Sequence, residues 1–279
     1  MQSDYGVNIV DNYPDINLNF IHGPLRSGCK NVLRIDGVYY DKENIFRNKS
    51  ILSSVRNHDA VIFQSEWSKV FVERMLNVKP KKTIVIYNGA DFESIQKAEP
   101  YKHSFDRVFV CSAFWRPNKR LKTIVNSFFA SKFDMNCGLF VIGKPDYIVD
   151  HPNIKYFHNI DNVFSVYKGS NYACHICHLE SCSNSVVEAL VSGLPVLCNN
   201  IGGTPEIVKD SGCIMTLDSP FDFRPVGSMK SVGFCEDHVS LVSKAMIKMT
   251  KTDYSVCRED LYMKTIAKQY YNFFVSLLS

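Results

Sequence analysis

Hydrophobic residues recur along this chain in two rhythms. Short apolar runs at Ile16 to Ile21, Asn31 to Ile35, Ala60 to Gln64 and Thr83 to Tyr87 predict four strands in the first hundred residues. Between them, "KENIFRNKSILSSVRNH" and "SEWSKVFVERMLN" carry apolar residues at helical spacing, and Ser65 is placed to cap the second. "NGAD" at Asn88 to Asp91 reads as a turn, and the polar "ESIQKAEPYKHSFD" as a connection between two units. From Arg107 the alternation is fuller. "RVFVCSA", "GLFVIG", "NIKYF", "NYACHIC", "PVLCN" and "GCIMTL" predict six strands interleaved with helices, the pattern of a parallel, doubly wound sheet. Residues 218–236 have no usable period, and "REDLYMKTIAKQYYNFFVSLL" predicts an amphipathic helix.

One stretch can be placed more closely. Ser185 and Glu188 stand at capping-box spacing, and the helix they predict ends at Gly193 before Leu194-Pro195. After the strand "PVLCN", Thr204 is placed to cap a helix with Pro205 at its first position and Glu206 in its first turn. Gly202 and Gly203, directly before it, would let the backbone come close to an anion.

Length and composition narrow the classes. With 279 residues, 46% hydrophobic and 22% charged, the chain has room for two ordered units with cores of their own. The net charge of +4 is spread out, and no basic block suggests a nucleic-acid arm or a membrane anchor. "MQSDYGVNIV" lacks the pattern of a secretion signal and no apolar run approaches a membrane span, so a cytoplasmic protein is expected. Ten cysteines scattered through apolar segments are expected to be free thiols.

Cys174, Cys177 and His178 spell CxxCH, the haem-attachment signature, and Cys182 adds a further thiol. If "NYACHIC" is a strand, Cys174 and Cys177 point to opposite faces, His175 shares a face with Cys177, and no second ligand pair follows. Buried thiols, with no metal, are the expectation. Glu180 and Glu188, eight residues apart, suggest a different chemistry, and His178 lies at the edge of that site.

Several segments, read in order, resemble the family 4 retaining glycosyltransferases. "HLESCSNSVVEALVSGLPVLCNNIGGTPEIV" is similar to that family's core motif of two Glu residues, a helix, Gly-x-Pro-Val and a Gly-Gly-x-Pro-Glu turn. "FQSEWSK", "IYNGAD", "FWRPNKRLKTIVNSF" and "LFVIGKP" resemble its other landmarks, so that the likeness covers roughly residues 16–215. It implies an α/β protein of GT-B type, two facing Rossmann-like domains with the amino-terminal one truncated. The units expected are residues 1–98 on the acceptor side, 99–255 binding a nucleotide-sugar, and a helix at 256–279 returning toward the first.

By the same resemblance, Glu180 and His22 lie at the donor sugar and Glu188 holds the ribose hydroxyls. Ser183, Asn184, Gly202 and Gly203 face sugar and phosphates, and Asp36 stands on the acceptor side. Lys119 is the cation for the leaving diphosphate, with Arg116 or Arg120 as its partner, since Arg116 and Lys119 are closer together than in the commonest family pattern. The activity implied is metal-independent retaining transfer from a UDP- or GDP-sugar to a hydroxyl on a glycan, lipid or protein, with no other cofactor. The alternatives are a sugar-nucleotide-binding protein without catalysis and an epimerase of the same fold. About twenty residues precede the segment at His22 where the family has three further strands. That implies a compact variant, a fragment, or a chain completed by a partner.

Overall fold

The computed structural model describes residues 6–10 and 14–279; the amino-terminal positions 1–5 and 11–13, part of the expected first unit and of the stretch tested for a signal, lie outside the described residues. The chain forms two parallel sheets, one after the other in sequence. The first contains β1 (Ile16–Phe20), β2 (Lys30–Ile35), β3 (Ala60–Phe63) and β4 (Thr83–Val85) in that spatial order. β3 reads AVIF and is buried throughout, as a strand covered on both faces must be. The crossovers hold α1 (Asn48–Asn57) and α2 (Glu66–Leu76), and α3 (Phe92–Lys97) follows β4.

Ser65 does cap α2: its hydroxyl accepts from the Ser68 N–H, and the Ser68 hydroxyl reciprocates toward the Ser65 amide. Asp91 caps α3 through the Ser94 N–H, so the expected polar connection begins as a helix that buries Ile95. A side-chain cap and one buried apolar residue were enough to order a stretch whose composition is that of a linker.

The second sheet contains β5 (Arg107–Ser112), β6 (Cys137–Ile142), β7 (Ile154–Phe157), β8 (Tyr172–His175), β9 (Val196–Asn199) and β10 (Gly212–Met215), all parallel. Its spatial order is β10-β9-β8-β5-β6-β7, so the winding reverses between β5 and β8. Such a switch point leaves a crevice at the carboxyl ends of the two strands, where ligands of open α/β sheets bind.

Helices α4 (Leu121–Ala130), α5 (Val163–Lys168), α6 (Asn184–Val191), α7 (Thr204–Val208), α8 (Glu236–Met249) and α9 (Met263–Leu278) complete the fold. Ile124 and Phe128 of α4 meet Met246 and Met249 of α8 over Phe109 and Leu139, while Val186 and Leu190 of α6 pack with Val108 and Phe140. The last helix returns to the first sheet. Its Ile266, Phe273 and Leu277 share a core with Val32, Ala60, Ile62 and Ile86. Among the described residues no helix is long and apolar enough to cross a membrane.

Three local expectations are corrected. β8 ends at His175 rather than running through Cys177, because the next backbone amides leave the ladder: His178 N–H donates to the Asn118 carbonyl and Leu179 takes a left-handed φ of 53°. The capping box at Ser185 and Glu188 does not form. α6 starts two residues before the expected cap allows, with Ser183 at the cap position, its hydroxyl 2.9 Å from that of Ser185, and Glu188 is turned to Tyr167 instead. Thr204 is the first residue of α7, not its cap; that place belongs to Gly203.

Candidate functional site

The loops that leave β5 and β8 converge at the switch point, and the residues they carry form a buried ion pair. Lys119, in the turn before α4, donates to the carboxylate of Glu180. Burial works against the charge on both side chains, but each supplies the other with an opposite charge. The result is a Glu180 carboxyl held below its usual range and a Lys119 ammonium held above its own. Cys177 Sγ lies 3.4 Å from the same carboxylate oxygen, and His175 Nε2 4.0 Å from it. Burial, reinforced by the Lys119 charge, pushes the His175 imidazole down to about 4, so the ring is neutral at physiological pH.

Glu180 and Lys119 open onto a cavity of about 410 Å³ between the two sheets, whose wall includes Asp36, Ser183, Asn184 and Glu188. Among the described residues Glu188, on the inner face of α6, has no cation paired with it; the Tyr167 hydroxyl, 3.5 Å away, is its hydrogen-bond partner. Burial pushes its carboxyl up to about 7 against the opposing effect of that bond. The amino-terminal turn of α6 also faces the cavity through Ser183, Asn184 and Ser185, where free N–H groups and the helix dipole favour an anion.

The first sheet closes the cavity through a polar chain that spacing could not have found. Asn88 accepts from Arg34 at 2.7 Å and Gln64 at 3.1 Å. It donates to the Cys182 carbonyl at 2.9 Å and to Asn184 Oδ1 at 2.6 Å. Gln64 also donates to Asp36 at 2.8 Å, and Arg34 Nε stands 3.2 Å from that carboxylate. Burial outweighs the Arg34 charge and raises the Asp36 carboxyl.

Comparison with known proteins places these features in a wider frame. Residues 106–223 match the family model described as Glycosyl transferases group 1. Sucrose-phosphate synthase from Thermosynechococcus elongatus superposes with a TM-score of 0.68 at 14% identity, over 89% of this chain and 68% of that one. The chain has the GT-B fold. HepE from Anabaena, solved with UDP and glucose, covers 89% of this GT-B chain and 72% of its own at 15% identity and a TM-score of 0.59. A glycosyltransferase from Rickettsia africae covers 91% and 72% at 14% identity, with a TM-score of 0.59. No curated protein matches the sequence.

Within the GT-B frame, six of the ten residues singled out from sequence line one cavity: Asp36, Lys119, Glu180, Ser183, Asn184 and Glu188. The other four lie elsewhere. His22 is exposed just past the end of β1 and outside the cavity wall. Arg116 is exposed and also absent from that wall; Phe114, 84% exposed, reaches the cavity from the same loop. Arg120, weighed as the alternative cation, is turned away from the site into a bidentate pair with Asp218 at 2.6 and 2.7 Å.

Gly202 and Gly203 pack against the backbone of Glu180, outside the cavity wall. The Gly203 N–H donates to the Glu180 carbonyl at 2.7 Å, and a Cβ on Gly202, whose φ is +85°, would lie 2.8 Å from the Glu180 amide nitrogen. Arg34, Gln64, Asn88 and Phe114 were missed because each is an ordinary residue in its own segment. Only the facing of the two sheets brings them to one place.

Proposed function

We propose that this chain is a retaining glycosyltransferase that moves a sugar from a nucleotide donor to a hydroxyl acceptor. One observation carries the proposal: a single cavity at the switch point is lined by the Lys119–Glu180 pair, by Glu188 eight residues on, and by the free end of α6 between them. The match of residues 106–223 to the group 1 glycosyl transferases and the GT-B fold support the same reading.

In this proposal the residues 99–255 bind the donor, with 1–98 on the acceptor side and 256–279 bracing the first sheet. Glu188 accepts from the ribose hydroxyls, since a carboxylate can take two such bonds. The diphosphate lies against the amino-terminal turn of α6. As the bond from the sugar's anomeric carbon to the diphosphate breaks, negative charge grows on the departing oxygens, and Lys119 is the fixed cation nearest that point. Arg34, from the opposite sheet, adds a second positive charge to the cavity wall. The acceptor oxygen bonds to the same face of the sugar, and its proton passes to the leaving diphosphate. Glu180 orients the sugar and holds Lys119 in place. Because Lys119 and the α6 amides supply the positive field, no metal is required for the step. UDP-sugars are the first donors to test, as HepE binds UDP.

A second reading, binding without transfer, is favoured by one feature: Lys119 already spends its charge on Glu180, and Arg116 stands outside the cavity. The two differ in a direct measurement. Thermal shift with UDP-, GDP- and dTDP-sugars identifies the donor, and donor consumption with glycan acceptors is then compared for wild type and Glu180→Gln. Transfer predicts wild-type turnover that falls about a hundredfold in Glu180→Gln with donor binding kept. Binding without any wild-type turnover selects the second reading, and turnover without an acceptor selects an epimerase.

A further inference from the structure

Behind the proposed sugar site, His175 and Cys177 are donors that neither its polar lining nor its ion pair uses, and they stand beside the Glu180 carboxylate that belongs to both. His175 Nε2, Cys177 Sγ and a Glu180 carboxylate oxygen all lie within 4.8 Å of one another. The carboxylate oxygen is 3.4 Å from the sulfur and 4.0 Å from the ring nitrogen. His175 is only 8% exposed and Cys177 4% exposed, and His175 Nε2 has no hydrogen-bond partner. A buried imidazole nitrogen with no hydrogen-bond partner among the described residues, held within 4.8 Å of a thiol sulfur and a carboxylate oxygen, is a ligand position without a use in the protein alone.

We propose that His175, Cys177 and Glu180 bind a thiophilic divalent cation, Zn²⁺ in the first instance, and that it competes with Lys119 for the Glu180 carboxylate. One nitrogen, one sulfur and one oxygen are the ligand types that zinc takes together. Bond lengths of about 2.0 to 2.3 Å place ligand atoms of a tetrahedral zinc site roughly 3.3 to 3.7 Å apart. The sulfur–oxygen separation of 3.4 Å already fits, while the imidazole must close about half an ångström toward the oxygen and up to about one ångström toward the sulfur. Glu180 lines the open cavity, which gives the ion a path to the two buried ligands. On binding, the Cys177 thiol gives up its proton to water, His175 keeps its other ring proton, and the ion takes the place of the Lys119 ammonium at Glu180.

The site differs from the CxxCH reading of the sequence. Cys174 lies on β8 in the core beneath α4 and α8 and takes no part, and His178 faces Asp218 at 3.4 Å. The trio forms because β8 stops at His175 and the chain turns, bringing residues 175, 177 and 180 to one point.

Co²⁺ titration tests the site directly, in a chain where the more exposed Cys29, Cys235 and Cys257 are replaced by Ser. The expected result is one equivalent of Co²⁺ with a thiolate charge-transfer band and tetrahedral visible bands, displaced by Zn²⁺. Cys177→Ser should abolish the charge-transfer band and His175→Ala should weaken binding about tenfold or more. Lys119→Met should tighten binding about tenfold, because the competing ammonium is gone. Absence of the band in the parent chain, its survival in Cys177→Ser, or weaker binding in Lys119→Met would each overturn the proposal. Melting temperatures check that the variants fold, and where Cys177→Ser does not, His175→Ala and Lys119→Met decide. None of these readouts needs a sugar nucleotide, so they stand apart from the proposed transfer reaction.

Discussion

Glu188 is a carboxylate that burial has left without a cation. Its folded pKa of about 7 lies above the ordinary carboxylate value, so between those two the folded state binds more protons than the unfolded chain. The stabilising contribution of the protonated form is therefore complete in acid and is lost as pH rises through about 7. Glu188→Gln should remove this dependence: relative to wild type, the variant gains about 1 to 2 kcal/mol in urea unfolding between pH 5 and pH 8. A ribose that needs the ionised acceptor has the opposite pH preference. UDP-sugar binding by calorimetry should strengthen from pH 6 to pH 8, and the slope should vanish in Glu188→Gln. The pair Glu180 and Glu188 was legible in the sequence from its spacing and the motif that follows. Alternation put His175 and Cys177 on one face, but that Glu180 meets them was not legible, because it depends on the turn the chain takes after β8 ends at His175. Charge nominates Arg116 from its loop, whereas Phe114 of the same loop lines the cavity.

At the scale of elements, the start of α2 is capped from two directions. Ser65 caps it locally, as its sequence indicates, and Glu206 of α7 adds a carboxylate whose oxygens accept from the Glu66 N–H at 2.9 Å and the Trp67 N–H at 2.6 Å. A negative charge at a helix amino terminus complements the free amides and the dipole together. Glu206→Ala should cost about 1 kcal/mol of stability. Hydrogen exchange should speed up at the Glu66 and Trp67 amides first, while the amides of β3 keep their protection. Uniform loss of protection would contradict a local cap. From sequence, Glu206 was placed in the first turn of its own helix, which is correct as far as it goes. That its carboxylate serves a helix 139 residues away depends on two sheets facing each other, which no local pattern encodes.

For the whole molecule, the decisive place is Gly203. A Cβ there would lie 2.0 Å from the Ser181 carbonyl oxygen and 2.4 Å from the Ser65 hydroxyl oxygen, so the start of α7, the loop after β8 and the cap of α2 meet without room for a methyl group. Gly203→Ala must push these segments apart, and overpacking of this kind costs about 1 to 3 kcal/mol. Because the clash lies between units, calorimetry should show one transition for the wild type and two for the variant. A single transition at the wild-type temperature would show that the junction tolerates the methyl group.

The sequence by itself determined the parallel α/β layout, since alternating apolar runs and amphipathic stretches record which backbone segments are buried on both faces and which on one. It also named one side of the cavity wall, because α6 and the loop before it carry Glu180, Ser183, Asn184 and Glu188 within nine residues. Only the tertiary structure decided that Arg34, Gln64 and Asn88 complete that wall, that Gly202 and Gly203 pack against the Glu180 backbone, and that Glu180 joins His175 and Cys177. Those are contacts between segments far apart in the chain or past a strand end, set by the packing of two sheets and the turn of one loop rather than by any local period.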